Sequence, residues 1–397
     1  MKNRGDKGDK PIRENFLPFS QPLIEKEEIN EVIDTLTSGW VTTGPKVKRF
    51  EEEFAEYIGS KYAIAINSCT GGLHLALIAG GIGKGDEVIT TPFTFCATVN
   101  VILHTGAKPV FVDIKPDTFN IDTERIEQAI TPKTKVIVPV HYAGQPCDMD
   151  EVMAIAKRHN LLVIEDAAHS IASEYKGKKV GAIGDITCFS FYATKNLVTG
   201  EGGMATTDNG ELAKKIRILS LHGMSRDAWK RYSATGSWYY EVIYPGYKYN
   251  MTDIQASLGL HQLRKLTRLQ KRREEIARAY NEAFASLDAI EVPFVKPNIK
   301  HAWHLYVIKV VLEKLNIGRN QFIEALRKEN IGTSVHFIPV HLHPYYRNTY
   351  GFKRGDFPNA EYIYDRVISL PLYPKMNDKD IRDVIEAVKK IVKHYRK

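Results

Sequence analysis

Two apolar runs in this sequence end beside side chains that can do acid–base chemistry. Leu161–Ile164 stops at Glu165 and Asp166, with His169 shortly after. Thr187–Phe191 is followed by Lys195 and by a glycine-rich loop, Gly200–Gly203. Apolar runs this short, bounded by polar and glycine residues, read as buried strands. An acid at the end of one strand and an amine just past another make a charged site at a sheet edge. Open α/β sheets hold their ligands at such strand ends.

A third stretch, NSCTGGLHLAL (Asn67–Leu77), reads as a strand end, a Ser/Thr/Gly turn and a helix start. The free N–H groups and positive dipole end of such a helix can seat a phosphate. An ordinary helix cap at Thr70 reads equally well from this pattern alone. The stretch matches neither the P-loop nor G-x-G-x-x-G, which weakens ATP and NAD readings. Singly, Asp166 could be a metal ligand, a ribose ligand or a cap, and Lys195 a phosphate clamp or a surface lysine. One cofactor uses all three features together. Pyridoxal 5′-phosphate (PLP) needs a lysine, a carboxylate for its pyridinium nitrogen and a phosphate cradle. A lysine that must deprotonate to react starts near ~10.4 and is brought down by desolvation and neighbouring charge.

The elements that must position these residues alternate in type. Residues 25–36 and 46–58 carry helical apolar spacing (Ile29, Val32, Ile33, Leu36; Val47, Phe50, Phe54, Tyr57, Ile58), with the loop SGWVTTGP between them. YAIAIN, DEVITT, KPVFVD, KVIVPVH and LLVIED then read as strands, with helices starting near Gly71, Thr94, Thr123 and Asp150. This βαβ alternation predicts an α/β fold with a mainly parallel sheet covered by helices. Asp253–Arg278 reads as one long helix, its basic run solvated and its Leu258, Leu263, Leu266, Leu269 and Ile276 face buried. HAWHLYVIKVV and GTSVHFI read as strands, and NQFIEALRKEN and DKDIRDVIEAVKKIVKHYR as helices. We expect a disordered tail over residues 1–17, a large domain over 18–265 and a smaller α+β domain over 266–397.

Composition bounds the reading. The chain has 397 residues, enough for two domains, with 43% hydrophobic and 26% charged residues. No apolar run approaches the ~18–20 residues that span a bilayer. The polar start MKNRGDKGDK lacks the apolar core of a secretory signal, so a cytoplasmic protein is expected. Cys69, Cys96, Cys147 and Cys188 form no C-x-x-C pair, and neither zinc nor a disulfide framework is expected. The +8 net charge suits an anionic partner, nucleic acid or phosphorylated small molecule. His336, His341 and His343 cluster in sequence without a carboxylate or cysteine nearby, and no metal is expected. Tyr239, Tyr240, Tyr244, Tyr247 and Tyr249 could stack on single-stranded bases but read better as an ordinary loop.

GWVTTGP, NSCTGGLH, VHYAGQPCDMD, VIEDAAHS, FSFYATKN, GEGGM, PGYKYNMTDIQAS and HAWHLY together resemble the DegT/StrS family of PLP-dependent nucleotide-sugar aminotransferases, from about Pro18 to the C-terminus. The likeness is strongest to the branch acting on UDP-linked 4-keto sugars, of the UDP-4-amino-4-deoxy-L-arabinose synthase type. It implies the fold-type I architecture, with a seven-stranded-type sheet and a smaller C-terminal domain. It also implies that Lys195 forms the Schiff base, Asp166 pairs with the pyridine nitrogen and His169 lies near the phenolic oxygen. Phe95 would stack on the ring. Thr70, Gly71 and Ser190 would serve the phosphate, joined by Asn250 from a second copy in a homodimer. Thr43, His336 and His343 are expected on the sugar side. L-Glutamate would give the amine and leave as 2-oxoglutarate, for polysaccharide or lipopolysaccharide synthesis. A 3-aminotransferase on a UDP- or dTDP-3-keto sugar and a non-catalytic regulator are the competing readings. The related sugar dehydratases lack the lysine present here at 195, and a nucleic-acid role rests on charge alone.

Overall fold

A computed structural model describes residues 10–225 and 239–397. Helices α1 (Lys26–Ser38) and α2 (Pro45–Ile58) come first. The chain continues through β1 (Tyr62–Ile66), α3 (Cys69–Ala79), β2 (Glu87–Thr90), α4 (Cys96–His104) and β3 (Lys108–Phe111). Next are β4 (Thr134–Ile137), α5 (Met149–His159), β5 (Leu162–Asp166) and a short hairpin, β6 (Glu174–Tyr175) and β7 (Lys178–Lys179). Then β8 (Ile186–Ser190), β9 (Gly203–Thr207) and α6 (Gly210–Leu219) lead to the helices α7 (Asp253–Arg264) and α8 (Leu266–Phe284). The remainder comprises β10 (Ile290–Glu291), β11 (Ile299–Lys300), β12 (Tyr306–Val310), α9 (Arg319–Lys328), α10 (Pro344–Tyr350), α11 (Pro358–Tyr364), β13 (Val367–Leu370) and α12 (Asp378–Tyr395).

Seven strands form one sheet in the order β1-β9-β8-β5-β4-β2-β3. The pairs from β8 to β3 are parallel, and β9 runs antiparallel to both β8 and β1. Alternation along each strand feeds two helical layers. Ile64 and Ile66 face Leu73, Leu77, Val101 and Ile216, from α3, α4 and α6. Ala63 and Ala65 face Phe50, Phe54 and Leu260, from α2 and α7, and α5 covers Ile137 and Val163 on β4 and β5. A second core, where Ile276, Tyr280, Phe284, Phe322, Val384 and Val388 pack with β12 and β13, lies in the C-terminal part. Helix α8 belongs to both, since Leu266 sits in the core around α2 and its later residues in the second.

The expected strands of the large sheet are present, and the structure adds β9 and β13. It corrects several other expectations. The helix expected from Thr123 is two short 3-10 turns, Thr123–Arg125 and Glu127–Ala129, cut off by Pro132. The long helix from Asp253 breaks at Lys265 (ψ 2°) and resumes to Phe284. GTSVHFI forms no strand beyond a single bridge, Ser334 to Ser369. The α1 stripe faces outward, with Ile29, Ile33 and Leu36 exposed, while Glu28 is buried on Lys265 and Gln262. The tail expected to be disordered through residue 17 is ordered over its last part. Arg13 pairs with Asp380 (2.8 Å) and Asp383 (2.7 Å), and Leu17 joins the second core. Residues 1–9 lie outside the described residues.

Candidate active site

Asp166 ends β5 and is almost fully buried, 6% exposed. Its Oδ2 accepts from the Thr98 hydroxyl (2.7 Å) and its Oδ1 from the Ala168 N–H (3.1 Å). Because Thr98 gives its proton to the carboxylate, it accepts from Thr94 at 2.8 Å, and the start of α4 aims a two-hydroxyl chain at Asp166. Burial pushes the Asp166 carboxyl up, against these hydrogen bonds and the charge of Lys195. Glu165, one residue earlier, points to the other face of the strand. Burial would raise it too, but His141 (2.7 Å), the Thr187 hydroxyl (2.7 Å) and the Gly184 N–H (2.7 Å) outweigh that, and its carboxyl sits below the usual range. Two adjacent buried acids are thus pushed in opposite directions.

His169 is fixed by the loop after β4. Its Nδ1 accepts from the Ala143 N–H at 3.2 Å, which leaves the proton on Nε2. That loop turns through Ala143 (φ 57°) and Gly144 (φ 103°). A Cβ at 144 would lie 3.0 Å from Ala302 Cβ and 3.1 Å from the carbonyl of His169, so glycine is required there. Burial, with Lys195 and His336 nearby, holds the imidazole neutral, well below its ordinary pKa.

Lys195 is half-buried, and burial brings its amine down to about 8, against the pull of Cys69 and Asp166. Its Nζ lies 3.4 Å from His304 Nε2, and the His304 ring is 4.4 Å from that of His169. His304 Nδ1 is 3.1 Å from Asn196 Oδ1. Behind it Arg273, expected on a solvated face, is 2% exposed and donates to the carbonyls of Trp303 (3.2 Å), His304 (3.4 Å) and Leu372 (3.0 Å). Burial brings this guanidinium down to about 9.

The start of α3 is capped by Ser68, not Thr70, since the Ser68 hydroxyl accepts from the Gly71 N–H at 3.0 Å. Thr70 is exposed in the first turn, and helix geometry leaves the Cys69 and Thr70 N–H groups without intrahelical partners. Gly203 on β9 packs under this turn. A Cβ there would be 2.6 Å from both Cys69 N and Ser68 C. Ser190 ends β8, half-buried, and Phe95 is 59% exposed at the start of α4 with its ring 6.0 Å from Phe337.

The other expected residues fall in two places. His336 comes to Lys195, where burial and that charge bring it down to about 4, and its Nδ1 is 2.8 Å from the Ser369 hydroxyl. His343 sits at the N-cap position of α10, and His341 is buried against Glu361 at 2.9 Å, a carboxylate the sequence spacing did not reveal. Thr43 and Asn250 pair with each other (2.6 Å) and line a cleft of about 500 Å³ between α2, β1 and α6. The contacts of Asn250 within the chain are Thr43, Lys248 and the backbone of Ile66 rather than the Lys195 group. The loop carrying Thr43 is held by Asp253, which accepts from the N–H groups of Gly44 (2.8 Å), Lys46 (3.1 Å) and Val47 (2.9 Å).

Sequence reading missed Thr94, Thr98, Asn196, His304 and Arg273. Two hydroxyls four apart at a helix start were a usable signal for the first pair. His304 lay inside HAWHLY, and Asn196 directly follows Lys195. Nothing marked Arg273 out from its charged neighbours.

These residues fit PLP. A buried carboxylate is held by neutral donors, with no ion pair among the described residues, beside an amine near 8 and a helix start with open N–H groups. Residues 22–389 match the DegT/DnrJ/EryC1/StrS aminotransferase family, and the chain belongs to it. An uncharacterized protein of Methanocaldococcus jannaschii is 65% identical over 385 residues, 97% of this chain and 100% of that one. The spore coat polysaccharide biosynthesis protein SpsC of Bacillus subtilis is 61% identical over 382 residues, 96% of this chain and 98% of that one. Among solved structures, the putative sugar aminotransferase Spr1654 of Streptococcus pneumoniae superposes in its PMP form with a TM-score of 0.90 at 40% identity, covering 95% of this chain and 99% of that one. Its PLP form gives 0.89 at 39% identity, covering 96% and 99%. The protein is a PLP-dependent sugar aminotransferase with the fold-type I architecture. Among the described residues no helix is long and apolar enough to cross a membrane.

Proposed function

We propose that this enzyme moves an amino group from L-glutamate to the 4-keto carbon of a UDP-linked keto-sugar, in the cytoplasm, for a cell-surface polysaccharide. The observation that carries the reading is the Lys195 amine, brought by burial to about 8, beside the buried Asp166. Bound here, PLP supplies an electron sink for the electron pair left when the donor's α-carbon loses its proton. Asp166 keeps a proton at the ring nitrogen. The Lys195 amine would take the proton from the donor's α-carbon and pass it to the cofactor, and would run the same transfers in reverse on the sugar. His169 offers an Nε2–H to the ring's oxygen, and Phe95 offers a stacking face. Thr70, Gly71 and Ser190 hold the phosphate, joined by Asn250 of a second copy in a homodimer. Thr43, His336 and His343 are assigned to the sugar side.

The choice of sugar is supported by the motif likeness to the 4-keto branch, and the polysaccharide role by the similarity to SpsC. The test is incubation with glutamate and a panel of UDP- and dTDP-linked 3-keto and 4-keto sugars, with aminated product read by mass spectrometry. Amination of UDP-4-keto sugars is expected. Conversion of only 3-keto or only dTDP-linked substrates would refute the assignment.

A further inference from the structure

We propose that His304 is a positioning residue, locked by Asn196 as a hydrogen-bond acceptor that holds the Lys195 amine in place whenever it is not covalently engaged. The proposal rests on the amino-transfer reading of this site and adds a residue to it. Gln270 Nε2 donates to the carbonyl of His301 at 3.2 Å, so that its Oε1 faces Asn196 Nδ2 at 3.3 Å. Asn196 Nδ2 also donates to the carbonyl of Ala302 at 2.7 Å. Both neighbours are acceptors, so this end of Asn196 is the NH2 group and its Oδ1 must face His304 Nδ1. An oxygen there requires Nδ1–H, and His304 Nε2 is left with a bare lone pair 3.4 Å from Lys195 Nζ. Nζ is a donor as amine or as ammonium, so the contact is complementary whenever Lys195 is free.

His169 has the opposite tautomer, set by Ala143, although the two rings are only 4.4 Å apart. The pair therefore offers one acceptor and one donor to the same small volume. His304 is not a base for the reaction. Burial first, then Lys195 before it and Arg273, which donates to its carbonyl, disfavour an imidazolium. The other titratable groups acting on or subject to the charge of Lys195 are Asp166 from β5, Cys69 from α3, His169 and His336. None of these is joined to its Nζ by a hydrogen bond as His304 is.

An acceptor at Nζ favours the ammonium over the free amine, so its removal makes the amine easier to deprotonate. Cofactor-free enzyme is mixed with PLP, and the rate at which the visible band of the lysine-bound cofactor appears is followed against pH. His304→Leu is expected to move the midpoint down by about one pH unit. His304→Gln, whose amide oxygen can accept in the same place, should stay near wild type. In steady state His304→Leu should lower kcat about tenfold with little change in KM for glutamate. A folded His304→Leu enzyme with an unshifted midpoint would overturn the proposal. If that variant does not fold, nitrogen NMR of imidazole-labelled wild-type enzyme decides alone, since Nδ1–H at His304 is required and Nε2–H refutes it.

Discussion

Asp166 and Lys195 each bear a desolvation cost in the folded chain. The Asp166 carboxyl is raised above its unfolded value, so the folded chain holds that proton more tightly. Its contribution to stability therefore falls as pH rises from the ordinary carboxylate range, ~3.9, through the raised folded value. Asp166→Asn should stabilise the cofactor-free protein by about 1–3 kcal/mol near neutral pH, seen as a higher melting temperature. The same change should lower kcat by about 10²-fold or more, because an amide cannot hold a proton at the ring nitrogen. A variant that melts lower and turns over normally would contradict both roles. Lys195 works in the other direction. Its amine is depressed to about 8, so between there and its unfolded value near ~10.4 the unfolded chain binds the proton and the folded one does not. Stability of the cofactor-free enzyme should rise with pH across that window, and Lys195→Ala should flatten the rise. Melting curves between pH 7 and 10.5 check this.

At the scale of elements, the site depends on how closely β9 approaches the start of α3. Gly203 leaves the space for that approach, since a side chain would meet backbone atoms at 2.6 Å that cannot swing aside. Gly203→Ala should cost about 1–3 kcal/mol in unfolding free energy. It should also weaken PLP binding about tenfold by displacing the first turn of α3, as measured by titration of the visible absorbance. Normal PLP affinity in this variant would mean that the α3 turn does not seat the phosphate. The 143–144 turn has a comparable part for His169, whose proton is placed by a backbone N–H rather than by any side chain.

At the scale of the whole molecule, Asn250 and Thr43 line a cleft apart from the Lys195 group, which suits a site completed by a second copy. Complementation tests this directly. Lys195→Ala and Asn250→Ala chains are each expected to be impaired. If Asn250 serves the other copy, a mixed dimer contains one intact site, with Lys195 from one chain and Asn250 from the other. Unfolding and refolding the two together should restore turnover toward a quarter of the wild-type level for random pairing. Activity no higher than the average of the separate variants would place Asn250 in its own chain's site, and a monomeric mass in light scattering would exclude the exchange altogether.

The sequence by itself determined the parts whose signal is local. Short apolar runs ending in Asp166 and near Lys195 marked strand ends, because burial on both faces forces such runs and the first polar residue marks the exit. The turn after Asn67 was legible for the same reason, although the cap moved from Thr70 to Ser68, a two-residue ambiguity that only hydrogen-bond geometry resolves. What depended on distant residues was not legible. Strand β9 lies antiparallel in a parallel sheet, Asp253 caps a helix two hundred positions away, and Arg273 is buried in a run of otherwise solvated charge. The tertiary structure alone decided the tautomers of His169 and His304, since each proton follows from a partner brought in by folding. Residue types can announce which chemistry is available, but the direction of each donor and acceptor exists only once the strands and helices that carry them are packed.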